Sequence, residues 1–272
     1  MDRAVVREAQ RVAVEAAREA GELLKKLFDK LDTHTYKQKD EYGDLVTEAD
    51  HRAEEIILGK IKQSFPEHHI ISEEAGDNRL SSDWLWLVDP LDGTNNFAVG
   101  MPLFAVSITL MYQREAVMAV IYEPMTDRLY EAVANGGFRC NGRIIRLGEP
   151  RAFNRATVGW IQGHKVQQEP RAVRLRQHLD ASTKRMMRLW APTLQWTMLA
   201  KGDLEAIILY NSEGEDLYSG MLMVREAGGS ITDFEGRPFT GMSSEPYLIA
   251  CHPQQLPFFR GLVHNGLVWH SD

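Results

Sequence analysis

Apolar residues at Val5, Ala9, Val12, Ala16, Ala20, Leu23 and Leu27 recur at three- and four-residue steps, which predicts one long amphipathic helix lying along a sheet face. After the polar segment Lys37 to Gly43, expected to be a mobile loop, Thr47-Glu48-Ala49-Asp50 reads as a capping box. It opens a second helix with Ala53, Ile56, Ile57 and Ile61 inward, ending by Pro66. Short apolar runs at His69 to Ser72, Trp84 to Val88, Phe104 to Tyr112 and Val117 to Tyr122 predict strands of one sheet. Alternation is clearest at Phe104, Val106, Ile108 and Leu110. Arg128 to Ala134, the Asn135-Gly136-Gly137 turn and Phe138 onward predict a hairpin carrying that sheet toward its edge.

Beyond Leu147, Gly148-Glu149-Pro150 marks a boundary between halves 1-147 and 148-272, expected to pack as one compact unit. The second half has α/β texture, with strands near Thr157, at Met186 to Trp190, Leu204 to Tyr210, Ser230 to Phe234 and Tyr247 to Cys251. Helices are predicted at Arg171 to Leu179, Thr193 to Lys201, Asp216 to Ala227 and Pro257 to His264.

Composition narrows the class. With 272 residues, 44% apolar and 25% charged, the chain matches an ordinary globular protein, and its length spans two modest domains or one large α/β unit. A net charge of −7 argues against a protein built to grip nucleic-acid backbone and leaves small ligands as the default partners. Cys140 and Cys251 are too few for a disulfide framework, so a reducing cytoplasm is expected. The longest apolar stretch is about half a membrane span. The first twenty residues mix acids and bases with alanine, unlike a signal peptide, so a soluble chain with an unprocessed N-terminus is expected.

The chemistry is concentrated in the acids. The run Trp84 to Val88 leads straight into Asp89-Pro90-Leu91-Asp92-Gly93-Thr94. Asp-Pro and Asp-Gly are ordinary turn dipeptides, so this pair alone is compatible with a plain strand end. Glu73 and Glu74 also leave a strand end, Asp50 sits in the capping box, and Asp216 opens a helix. Each has an innocent reading as a solvated loop acid or a helix N-terminal charge. Strand ends of an α/β sheet converge on one crevice, however, and four or five carboxylates gathered there repel strongly unless cations neutralise them. An oxygen-only donor set without His or Cys favours a hard cation such as Mg²⁺. Gly93 and Thr94 then offer turn amides to phosphate oxygens.

At these residues the sequence resembles the inositol monophosphatase family, metal-dependent and lithium-sensitive phosphatases. Asp44 to Asp50, Ile71 to Glu74, Asp89 to Thr94, and Asp216 with Glu226 to Gly229 look like its four signature stretches in order and spacing. The resemblance implies a layered α-β-α-β-α sugar-phosphatase fold with an N-terminal α+β half and a C-terminal α/β half, usually as a homodimer. It implies two or three Mg²⁺ per site. Glu73, Asp89 and the Leu91 carbonyl would hold the first, and Asp89, Asp92 and Asp216 the second. It further implies that Thr94, oriented by Asp50, helps deprotonate the attacking water alongside Glu73, and that Lys39 lies on a loop closing over the site. The expected reaction is hydrolysis of a small phosphorylated metabolite, nominally inositol monophosphate. Histidinol phosphate, fructose 1,6-bisphosphate and adenosine 3′,5′-bisphosphate are alternatives. A reading of another class is an RNA- or protein-binding regulatory member with secondary phosphatase activity.

The match departs from the family around the substrate. Leu209 stands where the family usually carries a glutamate contacting ring hydroxyls, and an aliphatic side chain cannot accept those hydrogen bonds. Ala191-Pro192-Thr193-Leu194 replaces a Gly- and Ala-bearing turn, and Glu215 stands where tryptophan is usual, so the pocket is expected to be altered around Leu209, Thr193, Glu213 and Glu215. Glu213 and Glu215 fit a substrate amine, as in a histidinol-phosphate phosphatase, with a solvated loop as the default. The seven basic residues Lys165, Arg171, Arg174, Arg176, Lys184, Arg185 and Arg188 fit a second-phosphate receptor or a solvated helix face. Trp160, Trp190 and Trp196 fit a pocket lining, with core packing as the default.

Overall fold

The computed structural model describes residues 2–30, 37–38, 45–153, 156–212 and 214–268, with 37–38 and 45–46 described by backbone alone. Lys39, Asp44 and Glu213, and most of the segment expected to be a mobile loop, lie outside the described residues.

The predicted first helix is α1 (Arg3–Phe28), whose buried stripe runs from Val6 through Val12 and Ala16 to Leu24. A two-residue antiparallel ladder, β1 (Lys37–Gln38) with β2 (Leu45–Val46), leads into α2 (Glu48–Ser64), capped by Thr47 as the sequence predicts. The first sheet contains β3 (His69–Ser72), β4 (Gly76–Asp77), β5 (Trp84–Asp92), β6 (Ala105–Tyr112), β7 (Glu115–Glu123), β8 (Arg128–Val133), β9 (Gly137–Cys140) and β10 (Arg143–Ile145), with the short helix α3 (Thr94–Ala98) between β5 and β6. Its eight strands lie in the order β10-β9-β8-β7-β6-β5-β3-β4. Only β3 and β5 pair in parallel; the other pairs are antiparallel.

The second sheet contains β11 (Thr157–Gln162), β12 (Arg185–Met187), β13 (Ala206–Tyr210), β14 (Ser230–Asp233) and β15 (Tyr247–Cys251) in the order β12-β11-β13-β15-β14. Its helices are α4 (Pro170–Ser182), α5 (Pro192–Lys201), α6 (Leu217–Glu226) and α7 (Leu256–Val268).

Strand alternation sorts the core into three layers. Phe104, Val106, Ile108 and Leu110 face α1 and α2. Leu87, Ala105 and Met111, from the opposite face of that sheet, join Trp196 of α5, Leu222 of α6, and Ile207 and Leu209 of β13 in one cluster. Ala206, Ile208 and Tyr210 look the other way, onto Leu175 of α4 and Phe259 of α7. The result is an α-β-α-β-α layering, in which α5 and α6 fill the space between the sheets. These two helices approach closely because Gly220 lies over Trp196. A Cβ at Gly220 would come within 2.2 Å of that side chain. Burying side chains of this size contributes roughly 1.5–3 kcal/mol each, so the shared middle layer joins the halves strongly.

Two expected strands differ in extent. β5 continues past Val88 to Asp92, with its register against β6 shifting between Asp89 and Asp92, because Pro90 has no N–H for the ladder and the chain bulges there. β12 stops at Met187 instead of Trp190, because Trp190 takes a left-handed backbone, φ 54°, that extended pairing excludes. No helix among the described residues is long and apolar enough to cross a membrane, and Cys140 and Cys251 are both free thiols.

Candidate active site

Four elements of the first half, α2, β3, β5 and α3, and two of the second, α5 and α6, contribute residues around the bulged end of β5. Asp89 lies in β5 and is buried. One of its carboxylate oxygens accepts the Leu91 N–H at 3.0 Å, so the local turn role and a place in the cluster coexist in one side chain. Glu73 follows β3, and its N–H donates to the Val88 carbonyl at 3.1 Å, extending the parallel pairing by one step. That step sets Glu73 against Asp89, with which it shares a side-chain hydrogen bond.

Asp92 is held from the second half. Its Oδ2 accepts the Thr193 N–H at 2.9 Å and also the Thr193 hydroxyl. Thr193 is fully buried, so it touches Asp92 and offers no face to an open pocket. Asp216 is the N-cap of α6, yet its side chain makes no capping hydrogen bond across the first turn. The Ser219 hydroxyl donates to the Asp216 carbonyl at 2.8 Å and receives the Ser107 hydroxyl at 2.8 Å. Ser107 is the β6 residue paired with Asp89, so this chain of hydroxyls registers the helix of Asp216 against the strand of Asp89.

Asp50 serves two elements. Its Oδ2 accepts the Thr47 N–H at 2.8 Å and the Thr47 hydroxyl at 2.6 Å, completing the capping box. Its Oδ1 lies 2.8 Å from the Thr94 hydroxyl, which also lies 2.9 Å from the Leu91 carbonyl. A hydroxyl has one hydrogen to give, so when Thr94 donates to one of these oxygens the other awaits a different donor or a cation. The turn is built on Gly93, φ 98°. A Cβ there would come within 2.8 Å of the Leu103 carbonyl oxygen and 3.1 Å of the Ala191 side chain.

The electrostatics follow from burial. Desolvation pushes the Asp89 and Asp92 carboxyls well above the usual carboxylate range, and neighbouring carboxylates add to it: Glu73, Asp92 and Asp216 on Asp89, and Asp216 and Glu73 on Asp92. Asp216 is raised to about 7, first by burial and then by Glu215 and Glu73. Asp50 is raised to about 6 by burial, against the opposing hydrogen bonds from Thr47 and Thr94. Among the described residues no three acids, histidines or cysteines have closed into a ready ligand group. The same carboxylates nonetheless lie near enough to raise one another. Buried acids whose largest neighbouring charges are other acids fit a hard divalent cation, which would invert those shifts by favouring the ionised forms.

Sequence reasoning missed Glu54. This buried residue of α2 gathers three donors on its Oε1: the Ser72 hydroxyl at 2.5 Å, the Glu74 N–H at 3.2 Å and the Ala75 N–H at 2.9 Å. It thereby fixes the turn that carries Glu73. A buried glutamate on the helix face opposite a predicted strand end was the available signal. Asn96, in α3, was also missed. Its amide donates to the Leu103 carbonyl at 2.8 Å and to the Leu189 carbonyl at 2.6 Å, tying the loop before β6 to the segment before α5.

The expected pocket residues scatter. Leu209 is 1% exposed and belongs to the middle core layer, so it packs between sheets instead of lining an open wall. Glu215 is partly buried beside Asp216, and its charge acts on that residue. Glu226, from the fourth signature stretch, is a structural clamp. Its carboxylate accepts the Asn135 and Gly137 N–H groups at 2.8 Å each, holding the hairpin turn. Trp160 and Trp196 are core residues, 1% and 0% exposed, whereas Trp190 is 60% exposed. Of the basic residues, Lys165, Arg171, Arg174, Lys184 and Arg185 are exposed. Arg176 and Arg188 are half-buried and donate to Gln162 and Gln167 at 2.7 and 2.9 Å.

A model of the inositol monophosphatase family matches residues 6–260. The Nus factor SuhB of Pseudomonas aeruginosa is 32% identical over 231 residues, covering 83% of this chain and 85% of that protein. The chloroplastic phosphatase IMPL1 of Arabidopsis thaliana is 35% identical over 234 residues, covering 83% of this chain and 62% of that longer protein. The crystal structure of the extragenic suppressor protein SuhB from Bartonella henselae superposes with a TM-score of 0.85 at 28% identity, covering 97% of this chain and all of that one.

Proposed function

The chain belongs to the inositol monophosphatase family, and from that premise we propose that it hydrolyses a small-molecule phosphate monoester at the Asp50–Thr94–Asp89–Asp92–Asp216 cluster. The carrying observation is the set of buried aspartates, drawn from both halves, that raise one another's protonation. Glu73, Asp89, Asp92, Asp216 and the Leu91 carbonyl would hold Mg²⁺, two or three ions when fully loaded. When bound, the cation supplies charge stabilisation for the phosphoryl group and a more acidic water.

The protein's own part is positional. The Thr94 hydroxyl donates to Asp50 and turns a lone pair outward, where it accepts a hydrogen from the attacking water. Asp50, raised to about 6, stands ready to take the proton that Thr94 passes on. The amides of Gly93 and Thr94 orient phosphate oxygens. Glu73, pinned through its turn by Glu54, sits on the water side. Inositol monophosphate is the nominal substrate. A homodimer, lithium sensitivity and a cytoplasmic location complete the reading.

Phosphate release from a panel of sugar, inositol and nucleotide monophosphates, with and without Mg²⁺, tests it. Thr94→Val is expected to lower kcat by roughly 10²-fold or more with little change in KM, as loss of a proton-transfer group does. A Mg²⁺-independent wild type, or an active Thr94→Val, would overturn it.

A second reading, of a regulatory member, is favoured by the five exposed basic residues around α4 and by the Nus factor name of the Pseudomonas relative. Silence across the whole panel together with salt-sensitive RNA binding that is lost on reversing Arg171 and Arg174 would favour it.

A further inference from the structure

Strand register in the second sheet puts three rings in one row. Tyr210 of β13 pairs with Tyr247 of β15, and because Asp233 of β14 pairs with Leu248, the next residue, Phe234, falls opposite Tyr247 on its other side. Tyr247 meets Tyr210 at 4.9 Å with 85° between the ring planes, and Phe234 at 5.8 Å with 65°. Tyr210 is buried, whereas Tyr247 and Phe234 are partly exposed. An edge-to-face contact covers at most one face of one ring, so the row has ring surface left to offer a third group.

The row lines a cavity of about 500 Å³, within the size range of small-molecule sites. The cavity lies on the outer face of the sheet, where Tyr210 joins α4 and α7, and not on the inner face that Leu209 shares with the middle layer. None of the proposed metal ligands lines it.

Charge around the rings is one-sided. Glu169, Asp233, Glu235 and Glu245 line the cavity against Arg171 and Arg237. Arg237 is spent on Asp233 and Glu235, at 2.6 and 3.2 Å. Glu169 accepts the Tyr210 hydroxyl at 2.8 Å, which fixes a carboxylate beside the row. After burial, Glu169 and Glu245 push the Tyr247 hydroxyl up, and Arg171 opposes them without reversing the shift. Among the described residues the cations that stand over rings are Arg18 on Tyr122 and Lys201 on Tyr130, so these three rings have none. Rings beside surplus carboxylates attract a cation. A primary ammonium holds its water strongly, whereas one wrapped in alkyl groups gives it up easily against aromatic walls.

We propose that this cavity is a binding site for a quaternary ammonium ion, seated against Tyr247 and Phe234 with Glu169 and Glu245 as its counter-charge. The site stands apart from the carboxylate cluster and is independent of the phosphatase reading. Calorimetric titration with choline and with its uncharged isostere 3,3-dimethylbutan-1-ol tests it, in Mg²⁺ buffer so that the carboxylate cluster does not compete for the probe. Choline is expected to bind wild type at least about tenfold more tightly than the alcohol. Tyr247→Leu should weaken choline about tenfold, and Tyr247→Phe, which keeps the ring, by no more than about threefold. Phe234→Leu, on a different strand, should repeat the loss, and Glu245→Gln should weaken choline about threefold. No heat from choline, equal affinity for choline and the alcohol, or equal choline binding by wild type and both leucine variants would overturn the proposal.

Discussion

On the floor of the site, Asp50, Asp89 and Asp92 each have a carboxylate oxygen bound by a backbone N–H, and Asp92 is gripped from a different half of the chain. At the rim, the segment Leu189 to Thr193 borders that floor, and within it Trp190 stands largely in solvent on a strained backbone while Ala191 and Pro192 carry no side-chain donor. The floor is tied down by neutral donors in a low-dielectric setting, so its side chains are positioned by groups that carry no charge of their own. The rim has surface instead of hydrogen bonds. The proposed chemistry thus resides where the chain is over-determined and Trp190 where it is exposed, so substitutions in the two places should fail in different ways.

The sharpest way to break that contrast is on the floor. Asp92→Asn is expected to cut phosphate release by roughly 10²- to 10³-fold while KM moves little, the scale of losing a preorganised charge partner. Its metal-free melting midpoint should hold or rise, because one member of a mutually repelling set has been neutralised. A fall in both activity and stability would mean Asp92 is chiefly a structural link to Thr193.

Glu54 tests whether the floor depends on groups behind it. Glu54→Ala frees the Ser72 hydroxyl and the Glu74 and Ala75 amides, and metal affinity by calorimetry is expected to weaken about tenfold, the lower end for loss of an outer-shell partner. Faster hydrogen exchange at those two amides should accompany it. Glu54→Gln retains an Oε1 acceptor and should restore most of both. Unchanged metal affinity in Glu54→Ala would separate the turn from the site.

The smallest effect is in pH. Asp50 and Asp216 titrate near 6 and 7 when folded, against about 4 when unfolded. The folded chain then binds more protons than the unfolded one, so without metal its stability falls as pH rises from about 4 to about 7. The metal-free melting midpoint is expected to be lower at pH 8 than at pH 5. Mg²⁺ should remove the difference by binding the ionised form, and Asp216→Asn should shrink it. A midpoint independent of pH and of Mg²⁺ would mean these acids are not buried together.

What was legible in the sequence was local or periodic. The spacing of Val5 to Leu27 and the Thr47–Asp50 box predict α1 and α2 because helix geometry and capping are encoded within a few residues, although the buried edges of α1 are Val6 and Leu24. Asp89, Asp92 and Asp216 stand out for the same reason, each at an element boundary. The end of β5 was misjudged because pairing continues past the apolar run through Asp89 and Pro90, and the end of β12 because apolar content continues after the backbone has turned. Leu209 was assigned to a pocket from its position relative to Asp216, but the two-residue alternation of β13 sends it into the middle layer with Ile207. Asn96 and the Ser107–Ser219 pair were invisible because their partners lie 93 and 112 residues away, whereas Glu54, 18 residues from Ser72, carried a signal in its place on the helix face opposite a strand end.

The two serines have a consequence for repeated turnover. Neutral hydroxyls, rather than opposed charges, gauge the span between the strand of Asp89 and the helix of Asp216. Ions held by the proposed ligands would come and go without altering the charge of anything in that gauge. The spacing of strand and helix is thereby fixed when the chain folds, by groups that carry no charge.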